Sequence, residues 1–280
     1  MLHANQVPAA RAWKWIQSGI VLFFKKPGLW LSMSMVYLAI ALVLDAIPFI
    51  GWLILVLFTP LLMFGALTVA HALAGPGGLP PEPSAMASEP GFTRVRGYFA
   101  RVARRLFQGF SDEDRMMPIM VISTLLLGGV VMIKILAQLL KVGGAALPAM
   151  LSGSIGPALW LTALLGLLIV LSLEALLLMG FLYTVPLIAF KREHPLPSIQ
   201  RSFRAALNNL GAFSIFVTLF AVLGEVARLL FLKLIFPYDY LAFLFIGMLA
   251  LPIFISALHA SYLDLFTSAA EAPVESTATV

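Results

Sequence analysis

Cysteine is absent from the 280-residue chain. Disulfides and thiolate metal sites are therefore excluded. Charge is almost as scarce: Asp, Glu, Lys and Arg together make up 11% of the residues. Soluble domains run near about 25%, so an ordinary water-soluble fold does not fit this composition. Catalytic signatures are missing as well. There is no phosphate-cradling glycine loop followed by Lys-Ser or Lys-Thr, no His-Glu-x-x-His and no nucleophile elbow. No metal, no cofactor and no enzymatic activity are expected. The start, MLHANQVPAARAWKWIQSG, lacks a continuous apolar core. No cleavable signal peptide is expected, and the first apolar run should remain as a span.

What is abundant is apolar surface, with 61% of the residues hydrophobic. A bilayer uses that surface where a soluble core has no room for it. One helical span needs about 20 residues. The run over 29–73 is long enough for two, with Asp45, Pro48 and Gly51 marking a tight break and Pro60 inside the second helix. Further spans are expected over 116–140, 157–189, 210–236 and 240–266. The fourth is longer than a bilayer requires and carries a candidate break near Pro186. Between spans, 74–91 reads as a flexible Pro/Gly/Ser loop and 141–156 as a Gly/Pro-rich connection. The expected organisation is one membrane domain over 1–268 and a disordered cytoplasmic tail over 269–280.

The formal net charge is +5, but the basic residues flank apolar runs and form no soluble face, which argues against nucleic acid. They read as topology signals. One side holds Arg11, Lys14, Lys25 and Lys26, then Arg94, Arg96, Arg101, Arg104, Arg105 and Arg115, then Lys191, Arg192, Arg201 and Arg204. The other side holds only Lys141 and, near helix ends, Lys134 and Lys233. The positive-inside rule makes the crowded side, and both termini, cytoplasmic.

Three of these basic stretches are amphipathic at helical spacing. In the first, Trp13, Ile16, Ile20, Phe23 and Phe24 oppose Lys14, Ser18 and Lys25. In the second, Phe92, Val95, Phe99, Val102, Leu106 and Phe110 oppose Arg94, Arg101, Arg104 and Arg105. In the third, Ile199, Phe203, Ala206 and Leu210 oppose Arg201 and Arg204. Such segments are expected to lie at the interface, with apolar faces at the acyl boundary and cations on anionic headgroups. They serve either as a lipid-sensing or docking surface or as topology anchors.

Glu174 falls within the fourth span, and Glu225 and Arg228 within the fifth. Ionisable groups there are expected to face the protein and find partners. The i, i+3 spacing lets Glu225 and Arg228 pair, and Glu174 is a candidate third member from a neighbouring helix. The cluster reads either as a polar pathway for a proton, ion or small solute, or as a structural ion-pair network. His71 and His259, near the cytoplasmic helix ends, lack a carboxylate motif for metal.

Trp15, Gly19, Phe23, Pro27 and Trp30, followed by Pro48, Gly51, Pro60 and Gly65, resemble the pattern of an uncharacterised family of bacterial polytopic inner-membrane proteins. Pro186, Arg192, Glu193, Ser202 and Asn208 resemble the broader group that includes the membrane domain of some glycerophosphoryl diester phosphodiesterases. The phosphodiesterase catalytic domain has no counterpart in this chain. The resemblance therefore implies a bacterial plasma membrane and no activity.

The expected fold is all-α: six transmembrane helices in three hairpins, each preceded by a basic amphipathic interfacial helix. The expected role is a non-enzymatic accessory or organisational protein at the cytoplasmic membrane face. Its expected partners are membrane lipids with anionic headgroups. The alternative is a small-solute or ion transporter using Glu174, Glu225 and Arg228.

Overall fold

A backbone in hydrocarbon must satisfy its own N–H and C=O groups, so long apolar runs become helices. The structure, a computed structural model, describes residues 4–76, 78–79, 91–140, 152, 156–234 and 239–267. Its helices are α1 (Arg11–Lys25), α2 (Pro27–Asp45), α3 (Gly51–Ala74), α4 (Gly91–Leu106), α5 (Glu113–Leu139), α6 (Pro157–Phe181), α7 (Thr184–Lys191), α8 (Pro195–Asn208), α9 (Leu210–Leu234) and α10 (Asp239–Phe266). A short 3-10 helix, Phe107–Phe110, extends α4. No strand occurs among the described residues.

Six segments are long and apolar enough to cross a membrane: α2, α3, α5, Trp160–Lys191 (α6 with α7), most of α9 and most of α10. The number and the approximate positions agree with the apolar runs of the sequence. Consecutive spans touch as α2 with α3, α5 with α6, and α9 with α10. The central element is α3, which packs against α2, α4, α5, α7 and α10.

The turn between α2 and α3 is as tight as the sequence implies. Phe49 has a positive φ of 63°. A Cβ on Gly51 would lie 1.7 Å from the Leu44 carbonyl oxygen, so only glycine lets α3 start against the end of α2.

The overlong fourth apolar run is broken, and the break lies just before Pro186 rather than at it. α6 ends at Phe181 and α7 begins at Thr184. Pro186 is the third residue of α7, where a helix has no partner for its N–H in any case. Ser202 of α8 repairs the interruption. Its hydroxyl accepts from the Tyr183 N–H at 3.1 Å and donates to the Met179 carbonyl at 2.8 Å.

The start of α5 needs a small correction. Asp112, in extended conformation, is the N-cap residue, while Ser111 still belongs to the preceding turn. The Asp112 carboxylate accepts from Arg115 at 2.6 Å.

The three basic helices each bury only part of their apolar residues against the rest of the protein. α1 buries Ala12, Trp15, Ile16, Gly19, Leu22 and Phe23, mainly against α10. Trp13, Ile20 and Phe24 remain exposed, so the expected apolar stripe is split. α8 buries Ser198, Ser202, Ala205 and Ala206, leaving Ile199 and Phe203 half-buried and Leu210 exposed. The packed face of α8 is made of small residues, and on α1 Ala12 and Gly19 sit among the larger Trp15, Ile16, Leu22 and Phe23, because small residues let backbones approach closely. On α4, Val102 and Leu106 are buried against α2 and α3, and Val95 is exposed.

The expected flexible loop lies outside the described residues at 77 and 80–90. So do most of the 141–156 connection and the expected 269–280 tail.

Candidate functional site

α2 and α9 each pack against α10. Residues of these three helices, with Leu55 of α3, line a cavity of about 670 Å³. That falls within the ~300–1,000 Å³ range of ligand pockets. Its walls are apolar apart from Tyr37, Asp45, Glu225 and Arg228. Small residues make the space: Ala41, Ala221, Gly224, Gly247 and Ala250 all line it. A Cβ added to Gly224 would meet nothing within 4 Å.

The charged feature of the cavity is a forked ion pair. Arg228 donates through Nε to Glu225 Oε2 at 2.9 Å and through Nη2 to Glu225 Oε1 at 2.5 Å. Their side chains remain 34% and 56% exposed. At about 1.5 Å per residue, Arg228 and Glu225 lie about 9 and 13 Å from the Leu234 end of α9. Glu225 is thus close to the centre of the helix, and Arg228 lies midway between the centre and the Leu234 end. A charge within a span is costly, and the mutual pairing offsets part of that cost.

Glu174 does not join this pair. It is exposed on α6 and makes no ion pair or hydrogen bond with a described residue. α6 packs against α5, α7 and α8 instead of lining the cavity. The three ionisable residues of the spans thus divide into a pair and a lone carboxylate.

Asp45 and Tyr37 enter the site from α2, where the sequence placed Asp45 merely at a span end. Their link is the i, i+4, i+8 spacing of Tyr37, Ala41 and Asp45, which puts all three on one helix face. Tyr37 Oη lies 3.2 Å from Thr59 Oγ1, which ties that face to α3.

On the basic side, Lys14, Lys26, Arg96, Arg104 and Arg204 are exposed, and Arg101 and Arg105 are half-buried. Lys25 donates to the Leu73 carbonyl at 3.0 Å. Arg201 pairs with Glu193 and lies 5.8 Å from the centre of the Phe266 ring. The Arg94 side chain lies outside the described residues. His71 Nδ1 and His259 Nε2 are 3.1 Å apart, and the Phe190 ring packs against both imidazoles. Among the described residues no third metal-type ligand accompanies them.

The fold defines an all-helical protein with six helices of bilayer-crossing length and composition, consistent with a multi-pass membrane protein. Comparison of the chain with protein-family models, curated proteins and solved structures found no match.

Proposed function

We propose that this is a non-enzymatic polytopic protein of a bacterial inner membrane, accessory or organisational at its cytoplasmic face. Its spans form three hairpins, each introduced by a basic amphipathic helix, with both termini cytoplasmic. The basic helices α1, α4 and α8 hold anionic lipid headgroups through Lys14, Lys25, Lys26, Arg94, Arg101, Arg104, Arg105, Arg201 and Arg204. The observation that supports this is the docking of α1, α4 and α8 on the spans while Lys14, Lys26, Arg104 and Arg204 stay exposed. A cation on a docked helix is held in place for a headgroup without further ordering. Each is worth about 1 kcal/mol at an anionic surface, or roughly fivefold in affinity.

The test is enrichment of phosphatidylglycerol around the purified protein in mixed nanodiscs. Replacing Lys14, Arg104 and Arg204 together with Gln should abolish most of the enrichment. Equal enrichment in the variant would refute the lipid-holding role. Orientation is checked separately with terminal epitope tags, which should stay unreachable from outside intact cells.

The cavity favours a second reading, in which Glu225 and Arg228, with Asp45, line a route for a small solute or ion. Glu174 lies outside that cavity. In proteoliposomes, Glu225→Gln should then abolish flux. Flux that survives Glu225→Gln would rule the route out.

A further inference from the structure

α6 and α9 share an anomaly. Only 11% of the apolar window in each of these spans is buried, against 50% for α3. Both nevertheless carry ionisable side chains on their exposed faces: Glu174 on α6, and Glu225 with Arg228 on α9. Ionisable residues within spans are expected to face protein or a polar cavity rather than lipid. Glu225 and Arg228 meet that expectation in part by lining the cavity, whereas Glu174 meets it only if something beyond a single copy of the chain covers α6.

We infer that two copies of the chain associate through α6 and α9, so that Glu174 of each copy joins the Arg228–Glu225 pair of the other. Charge complementarity selects this occupant. Glu174 is a carboxylate without an ion pair or hydrogen bond to a described residue, and Arg228 keeps a third of its side-chain surface accessible. A guanidinium has five donors and accommodates more than one carboxylate.

Direction agrees as well. α9 leaves the side that holds basic α8, whereas α6 leads, through α7, towards it. A two-fold axis along the membrane normal then sets each α6 antiparallel to the partner's α9 and forms both charge contacts at once. Exposed Leu171 on α6, and Val222 and Leu229 on α9, supply apolar contact around them. Because Glu225 and Arg228 also line the cavity between α2 and α9, the partner's α6 borders that cavity. This pairing rests on the membrane placement of the spans, and it is independent of the lipid-holding role.

The absence of cysteine gives the test a clean background. Two differently tagged copies of the full chain are co-expressed, one with Glu174→Cys and the other with Arg228→Cys, and oxidised in membranes with copper phenanthroline. A disulfide-linked dimer carrying both tags is expected, at least fivefold above either variant expressed alone. A second pair, Leu171→Cys with Leu229→Cys, keeps the charges and should link in the same way. The unsubstituted chain, labelled and counted by photobleaching in liposomes, should show two copies per particle. Failure of both cysteine pairs to link, or single copies in the liposomes, overturns the inference and leaves lipid as the cover. A linked product containing a different protein overturns it too.

Discussion

Arg11 and Asp264 are 253 positions apart and form a hydrogen-bonded ion pair, with Arg11 Nε donating to Asp264 Oδ2 at 2.8 Å. The Trp15 indole donates to the same oxygen at 2.8 Å. The Asn5 side chain adds hydrogen bonds to the backbone carbonyls of Asp264 and Thr267 at 3.1 Å each. Together these bonds tie the beginning of the chain to the end of the last span.

Asp264→Asn should loosen that tie. The loss is about 1–2 kcal/mol for a charged hydrogen-bond acceptor, discounted because Arg11 is 38% exposed. Thermal unfolding in detergent should shift downward, and the N-terminal segment should become more protease-sensitive. Unchanged cleavage would show that other contacts hold α1.

Two glycines should respond in opposite ways to the same change. A Cβ on Gly19 would lie 2.7 Å from the Ile253 carbonyl oxygen and 2.8 Å from Ala257 Cβ. Gly19→Ala therefore pushes α1 away from α10, at a cost of about 1–3 kcal/mol. Gly224→Ala meets open space and should stabilise α9 by about 0.5–1 kcal/mol. Parallel denaturation curves decide; equal effects would contradict the packing.

Ser202→Ala should expose the weak point of the fourth span. The Tyr183 N–H loses its acceptor in a buried setting, which costs about 1–3 kcal/mol. Hydrogen exchange at the Tyr183 amide should accelerate while amides in α3 stay protected. Uniform acceleration throughout the chain would instead indicate global destabilisation.

Arg228→Ala leaves Glu225 without its ion-pair partner within a span, and stability should fall. Adding Glu225→Ala should restore most of it, because both charges are then gone. A double-mutant cycle reads the coupling directly, and an additive double variant would show that the pair contributes nothing.

The six spans were legible from hydrophobic run length, because bilayer thickness imposes that length on any sequence. The break in the fourth span was visible as excess length near Pro186, but its position at Leu182–Tyr183 depends on Ser202, a residue of another helix. Which residues of α1 and α8 pack on the protein was not legible from the apolar stripes: Ile16, Phe23 and Ala206 are buried, while Trp13, Ile20 and Phe24 are exposed. In hydrocarbon, lipid serves an exposed Phe24 as well as protein does, so periodicity alone does not say which apolar stripe packs. The pairing of Glu225 with Arg228 was readable from their i, i+3 spacing. The separation of Glu174 from them was not, because it depends on which helices are neighbours.

Composition and periodicity alone determined an all-helical chain with six apolar helices and a cationic side, since hydrocarbon thickness and backbone hydrogen bonding act on local sequence. Tertiary structure decided what those rules leave open. It docked α1 on α10 through Gly19, and it opened a cavity at Gly224 that brings Asp45 and Tyr37 near the Glu225–Arg228 pair. It also left Glu174 on an outward face. The physical reason is that helix-to-helix contact in a membrane is chosen by small residues and charge partners far apart in sequence, and neither leaves a periodic trace in the chain.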